Sequence, residues 1–428
     1  MTAAISHAQA EHAADILRTT SAVRERCGQL LARARRDESH WWTVNDDRIA
    51  EASRAVADAT RERYPKLHIP FHGRWRHFEA GGVDRKADLD QLLHGQDAAL
   101  RAGAMVDLTV VSVLLDAGAG PDWNYVEPAT GKTFTRSEGL AVASFHAFVG
   151  GLFSSDKDHP LQADAAGLRA LVTDHLASAF QVSESNPMVG LEGRAILLRR
   201  LGEAMSEQPE VFGDDPARPA GIFDMLVTPH GSQVPHTADI TAHDILSQLL
   251  MTLSGIWPAG NNIGGIPLGD CWRHRAVRES PEAAASCGGA SDGWVPFHKL
   301  SQWLTYSLLE PFAWAGVNVR GLDALTGLPE YRNGGLLIDS GVLVLKDPAL
   351  ADQTWQPGDE LIVEWRALTV ALLDELAVQV RKELGLDEQQ LPLARVLEGG
   401  TWAAGRASSQ RLRGGLPPLT VASDGTLF

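Results

Sequence analysis

LIVEWRALTVALLDELAVQVRKELG, residues 361–385, decides the fold class. Leu361, Trp365, Leu368, Leu372 and Leu376 recur at four, three, four and four, the spacing of one helix face, and Gly385 supplies a stop. The same run carries Glu364 and Arg366 in IVEWRA. Burial would oblige each to find a partner, so a structural ion pair is the plain expectation for them.

The pattern extends outward. Met105, Leu108 and Leu115 share a face that ends near Gly118 and Gly120, and Ile245, Leu249, Leu253 and Ile256 form another stripe. Leu300, Leu304 and Leu308 continue it until Pro311, which should kink or end that helix. Residues 8–36 and 46–63 are rich in Ala, Arg and Glu at helical spacing. Strand signals are few. LLIDSGVLVL (336–345) reads as a hairpin about Ser340-Gly341, and LTVASDGTLF (419–428) as another about Asp424-Gly425. The expectation is a mainly α, single compact helical domain with small hairpins near 336–345 and 419–428. Residues 1–65 read as an N-terminal helical layer and 66–428 as the main domain, the two forming one continuous unit.

Of the 428 residues 44% are hydrophobic and 21% charged, which suits a large buried core. A net charge of −16 without a Lys/Arg run argues against nucleic-acid binding. No apolar run approaches the roughly 20 residues that span a bilayer, so no membrane contact is expected. The N-terminus lacks the pattern of a signal peptide. Cys27, Cys271 and Cys287 make no disulfide framework and suit a reducing compartment, so the expected location is the cytoplasm.

Candidate chemistry narrows by motif. Cys271 and His274 in GDCWRHR have a ligand-like spacing, but two further ligands are missing, so no metal is expected. Neither a Walker loop, a GxGxxG fingerprint nor a GxSxG elbow occurs, and no cofactor is expected. Glu330 in LTGLPEYRNGG (325–335) is either a solvated turn residue or a carboxylate held beside Arg332 to face a developing cation. The glycines after it would let backbone approach a ligand closely. Asp116, closing an apolar helix in LLDAGAG, reads as a helix-end group or a site residue. HIPFHGRWRHFEAGG (68–82) gathers Arg74, Arg76 and His77 among aromatics in an acidic chain. It is either packing or, with Lys299, the wall of an anion site.

RWRHFEAGGVDR (74–85), NPMVGLEGRA (186–195), GLPEYRNGGLLID (327–339), LEGGTWAAGR (397–406) and SDGTLF (423–428) together resemble the uracil-catabolism protein family of fungi and bacteria, over roughly residues 20–428. That resemblance implies a place in a pathway that releases urea from uracil after conversion to the nucleotide. A more distant one is to the queuosine-salvage nucleotide glycosidases. It rests on VVSVLLDAGAGPDW (110–123), GLAVASFHAFVGG (139–151), NPMVGLEGRAILLRRLGEAM (186–205), FHKLSQWL (297–304), LTGLPEYR (325–332) and GDELIVEWRA (358–367), in the same order. Those enzymes hydrolyse an N-glycosidic bond in a nucleoside 5′-monophosphate on a helical, DNA-glycosylase-like fold.

The second resemblance implies roles. Glu330-Tyr331-Arg332 matches an Asp-Tyr-Arg pattern around the catalytic carboxylate, with Asn333-Gly334-Gly335 in place of a tail ending in Pro-Gln. Lys299 and Gln302 match a Lys and a Gln with a phosphate or sugar role. Asp116 matches an Asp before the base-holding loop, where Ala119-Gly120 and Trp123 depart from the pattern and fit a smaller leaving group. Combined, the two resemblances imply hydrolysis of a ring-opened uridine nucleotide, ribosylurea 5′-phosphate, to urea and ribose 5-phosphate. Glu330 and Asp116 would be catalytic. Lys299, Gln302, Tyr331, Arg332, Arg74, Arg76, His77, Trp123, Glu364 and Arg366 would bind substrate. The implied partners are a small phosphorylated ribosyl substrate and a ring-opening enzyme of the pathway. The alternatives are hydrolysis of an intact pyrimidine or related nucleotide, and non-catalytic binding of the ring-opening enzyme's product.

Overall fold

A computed structural model describes residues 5–227, 239–257 and 260–422. The protein is mainly α, with only short strand pairs between its helices. Its described residues gather into two compact units, each assembled from separated stretches of chain: 5–72, 260–302 and 321–422 in the first, and 73–227, 239–257 and 303–320 in the second.

In the first unit the 361–385 run folds as the helix Glu360–Leu384, closed by Gly385 in the left-handed region at φ 68°. Its ten residues from Leu361 to Val370 are all buried, so the helix is enclosed on every side there, not along one stripe. It packs against Thr20–Arg35, Ile49–Arg63 and Tyr331–Asp339. Val23, Cys27 and Leu30 meet Val363, Ala367 and Val370, with Val277, Val295 and Phe297 completing the cluster. This enclosure makes Glu364 and Arg366 buried charges. The first helices, His7–Leu17 and Thr20–Arg35, begin at Ser6 and Thr19, whose side chains accept N–H bonds from Gln9 and Ala22.

A π-helical turn, Leu397–Thr401, separates the helices Leu393–Val396 and Trp402–Arg413. Its Glu398 is buried and accepts from Arg63 at 2.7 Å and from the Tyr64 hydroxyl at 3.0 Å, with His72 Nδ1 at 2.9 Å. Burial alone would raise this carboxyl. The hydrogen bond and charge of His72 and the charge of Arg63 outweigh it, holding the group at about 2.

In the second unit the helix Ala98–Leu114 is capped by Asp97, whose carboxylate accepts the Leu100 N–H, and it is buried from Ala102 to Leu114. Around it pack Arg136–Val149, Leu191–Glu207 and Gly221–Val227. The short helix Arg74–Phe78 lies against the first two of these four helices, Ala98–Leu114 and Arg136–Val149.

Two local expectations are corrected. Residues 336–345 are not a hairpin: Tyr331–Asp339 is a helix, and Leu343–Leu345 pairs antiparallel with Trp42–Val44, about 300 residues earlier in the chain. A side-chain cap at Glu330 and burial of the helix's inner face override the poor helix propensity of Asn333-Gly334-Gly335. Nor does Pro311 end its helix, which runs from Lys299 to Trp314. A missing N–H so close to the C-terminus forfeits a single ladder bond, and the Ala315 N–H still reaches the Pro311 carbonyl at 3.1 Å. At the C-terminus Thr420–Val421 pairs in parallel with Thr354–Trp355; the turn expected at Asp424-Gly425 lies outside the described residues.

Candidate active site

Glu330 is the N-cap of the helix Tyr331–Asp339. Its Oε2 accepts the Arg332 N–H and its Oε1 the Asn333 N–H, both at 2.7 Å. The carboxylate is thus fixed in orientation at the positive end of a helix while the residue stays half-buried. Burial pushes its carboxyl above the ordinary range. The two N–H groups and the charges of Lys299 and Arg332 pull against that without cancelling it.

Lys299 owes its place to Asp270. That buried carboxylate accepts the Lys299 backbone N–H at 2.9 Å and the Trp272 indole N–H at 2.7 Å. It also grips Arg366 bidentately, Nη1 to Oδ1 at 2.8 Å and Nη2 to Oδ2 at 2.7 Å. Burial would raise Asp270; Arg366 and the N–H donors overcome it and hold the group at about 2. Just before Lys299, His298 takes up a left-handed φ of 48° and its Nε2 lies 2.8 Å from the Leu17 carbonyl. That conformation turns the chain from the strand Trp294–Pro296 into the helix of Lys299.

Gln302, fully buried, spends its whole amide on structure. Nε2 donates to the Phe297 carbonyl and the Thr326 hydroxyl, and Oε1 accepts the Thr326 N–H at 2.8 Å. Gln302 therefore ties the start of the 325–332 segment to the helix of Lys299.

The remaining sequence candidates of this unit have structural partners. The Arg332 guanidinium donates to the Ser409 hydroxyl, and Gly415 carbonyl lies at 3.4 Å. It also stacks 4.7 Å from the centroid of the Tyr331 ring, which is 39% exposed. Glu364 and Arg366 do not pair with each other, as the plain reading had them. Glu364 Oε2 lies 3.2 Å from His274 Nε2, and Arg366 belongs to Asp270. At Gly334 a β-carbon would sit 2.8 Å from the Trp365 indole, so the glycine lets two helices meet. Cys271 is packed in an apolar cluster, and among the described residues no group of three or more His, Cys, Asp or Glu is placed to hold a metal.

The second unit brings other candidates together. Arg74, fully buried, reaches Asp116 Oδ2 through Nη1 at 2.9 Å and Ser112 through Nε at 2.7 Å. His77 Nδ1 lies 3.3 Å from Arg74 Nη1, and its ring is 5.9 Å from that of Trp303. Burial lowers the Arg74 pKa, with Asp116 opposing. Arg76 is neutralised by Glu310 at 2.9 Å and Glu79 at 2.7 Å. Trp123 is wholly buried, stacked on Phe180, with its N–H bonded to the Phe180 carbonyl at 2.9 Å. The basic knot is thus largely matched inside its own unit. In the unit of Glu330, Lys299 and Arg332 are the cations whose charges act on it.

Asp270 escaped the sequence reading. Asp270 stands inside GDCWRHR, where its neighbours Cys271 and His274 drew attention as metal ligands. Only the fold reveals that it collects Arg366 and Lys299 from 96 and 29 residues away.

Residues 16–428 match the family model described as "Protein of unknown function (DUF1688)". The chain is 38% identical over 417 residues to "Protein urg3" of Schizosaccharomyces pombe, covering 95% of this chain and 96% of that protein. It is 41% identical over 383 residues to "Uracil catabolism protein 4" of Lachancea kluyveri, covering 84% and 85%. Among the described residues no helix is long and apolar enough to cross a membrane.

Proposed function

The chain belongs to that family, and from this premise we propose that it is an N-glycosyl hydrolase of uracil catabolism that cleaves ribosylurea 5′-phosphate to urea and ribose 5-phosphate. The relative named for uracil catabolism supports the pathway. One observation carries the chemistry: Glu330 has both oxygens pinned by backbone N–H groups, is half-buried, and lies within the field of Lys299.

Breaking a C1′–N bond builds positive charge at C1′ and its ring oxygen. A carboxylate that cannot rotate is already oriented toward that charge and needs no reorganisation as the charge develops. Half-burial strengthens the attraction relative to water. Lys299 supplies a point charge for the phosphate, and binding the far end of the sugar positions the anomeric carbon. The Asp270–Arg366 pair and Gln302 act through Lys299 and Thr326 and hold the two charged groups in register.

The test is direct. The purified chain is incubated with ribosylurea 5′-phosphate and, separately, with UMP, and urea, uracil and ribose 5-phosphate are assayed. Urea and ribose 5-phosphate in equal amounts from the first substrate are expected. Uracil released from UMP, with ribosylurea 5′-phosphate left intact, would replace this reading by hydrolysis of an intact nucleotide.

A further inference from the structure

The residue that delivers Lys299 into its helix is His298, which is buried. Its φ of 48° lies in the left-handed region, which a residue other than glycine keeps only where its surroundings impose it. Backbone bonds impose part of it. The His298 N–H donates to the Asp270 carbonyl at 3.1 Å, and the His298 carbonyl accepts the Gln302 N–H at 2.8 Å. The side chain supplies the rest, with Nε2 lying 2.8 Å from the Leu17 carbonyl. A carbonyl only accepts, so Nε2 carries the hydrogen. Burial lowers the pKa of the imidazole and favours this neutral ring. Leu17 is the last residue of the helix His7–Leu17, where carbonyls lack partners within the helix. That helix is itself seated. Ala10, Ala13, Ala14 and Leu17 are buried in one apolar cluster with Cys271 and Trp294, and Arg18 Nη2 donates to the Pro267 carbonyl at 3.0 Å. A substitution at His298 leaves the backbone groups in place and removes only the tether to Leu17.

We propose that His298 is a positioning residue that fixes Lys299 for the substrate's phosphate by anchoring it to the helix His7–Leu17; this rests on the role given to Lys299 above. With the tether in place the left-handed turn is held, and the helix Lys299–Trp314 starts in one position. Without it the backbone at 298 relaxes toward the common region of negative φ, and Lys299, the next residue, moves with it. Glu330 keeps its own bonds from the Arg332 and Asn333 N–H groups, so the loss falls on phosphate binding and not on the acid. The coupling is reciprocal. If the tether raises the affinity for phosphate, bound phosphate strengthens the tether by the same factor.

Two variants of the full chain test it. His298→Asn tolerates the left-handed backbone, but its amide nitrogen is one bond short of the His298 Nε2. His298→Gln matches that reach and keeps an N–H donor. Each is assayed on ribosylurea 5′-phosphate and on unphosphorylated ribosylurea. The ratio of kcat/KM for the first to that for the second should fall on the order of 10-fold in H298N, through KM, and return toward the wild-type ratio in H298Q. A merely structural role would lower both substrates alike. An unchanged ratio in folded H298N, or an equal loss in H298Q, overturns the proposal. Should H298N fail to fold, the wild type decides: ribose 5-phosphate should slow the exchange of the His298 Nε2–H with solvent, read by NMR of histidine-labelled protein, and unchanged exchange overturns the proposal. If the wild type hydrolyses neither substrate, the glycosidase reading falls, and calorimetry with ribose 5-phosphate decides the positioning role. An affinity lower on the order of 10-fold in H298N supports it; equal affinities, or no binding by the wild type, overturn it.

Discussion

Asp270 and Arg366 face each other through two parallel hydrogen bonds of 2.8 and 2.7 Å, both side chains buried. The pair is a joint. Its acid also receives the N–H of Lys299, so the helix that presents the lysine begins where the pair is fixed.

Removing one member strands the other. Asp270→Asn should lower the free energy of unfolding by about 3–5 kcal/mol, because Arg366 keeps a buried charge without its counter-charge. Urea denaturation of the two proteins measures it. A loss below about 1 kcal/mol would mean that water reaches the pair and the enclosure described around Arg366 is wrong.

Glu330→Gln keeps the size of the side chain and one acceptor for the cap but removes the charge. Turnover should fall on the order of 10²–10⁴-fold, while stability changes by no more than about 2 kcal/mol, the range of a helix cap. Steady-state assay beside calorimetry separates the effects. Undiminished turnover in the folded variant would remove Glu330 from the chemistry and favour a binding role for the protein.

Asp270 and Glu398 both sit at about 2 in the folded chain, against about 4 for an unfolded carboxyl. A carboxyl lowered by folding contributes fully above its unfolded value. As pH drops from about 4 toward 2 the unfolded chain takes up protons first, and that contribution is lost. Each group should contribute on the order of 3 kcal/mol at neutral pH. Denaturation midpoints between pH 5 and 2.5 should therefore decline in the wild type and decline less in E398Q, which starts lower. Parallel curves would refute the assignment for Glu398.

Gly334→Ala would push a methyl carbon to 2.8 Å from the Trp365 indole. Overpacking of this kind costs about 1–3 kcal/mol. The variant should melt earlier, with KM for substrate unchanged wherever it stays folded. A raised KM at unchanged stability would restore the idea that this glycine admits a ligand.

The helices were legible because their signal is local. The helix of 361–376 and its stop at Gly385 needed only a window of the sequence, and the structure has both, although burial over 361–370 is all round and not confined to one face. What failed was non-local. Leu343–Leu345 looked like half of a hairpin because its apolar run is the same whichever strand it pairs with, and only the fold brings Trp42–Val44 beside it. In the candidate site, the neighbouring Arg332 and the resemblance to nucleotide glycosidases raised Glu330 and Lys299, but nothing in the sequence reveals that Gln302 spends its amide on Thr326, or that Trp123 is wholly buried. Arg74 and Asp116 were singled out separately, one from a basic knot and one from a helix end; their ion pair joins positions 42 residues apart. The charge of a side chain is written in its letter, whereas the use of that charge depends on what the fold sets against it.

The enclosed helix Glu360–Leu384 bears on how the protein is made. Its neighbours Thr20–Arg35 and Ile49–Arg63 leave the ribosome first, yet the surface they cover is encoded roughly 300 residues later. At about 5–20 residues per second, those early helices wait about 15–60 s with apolar faces uncovered. Nascent chains arrested before residue 360 should accordingly be cut by protease within 20–63, and the released 428-residue chain should resist. The interval is one in which a chaperone has something to hold.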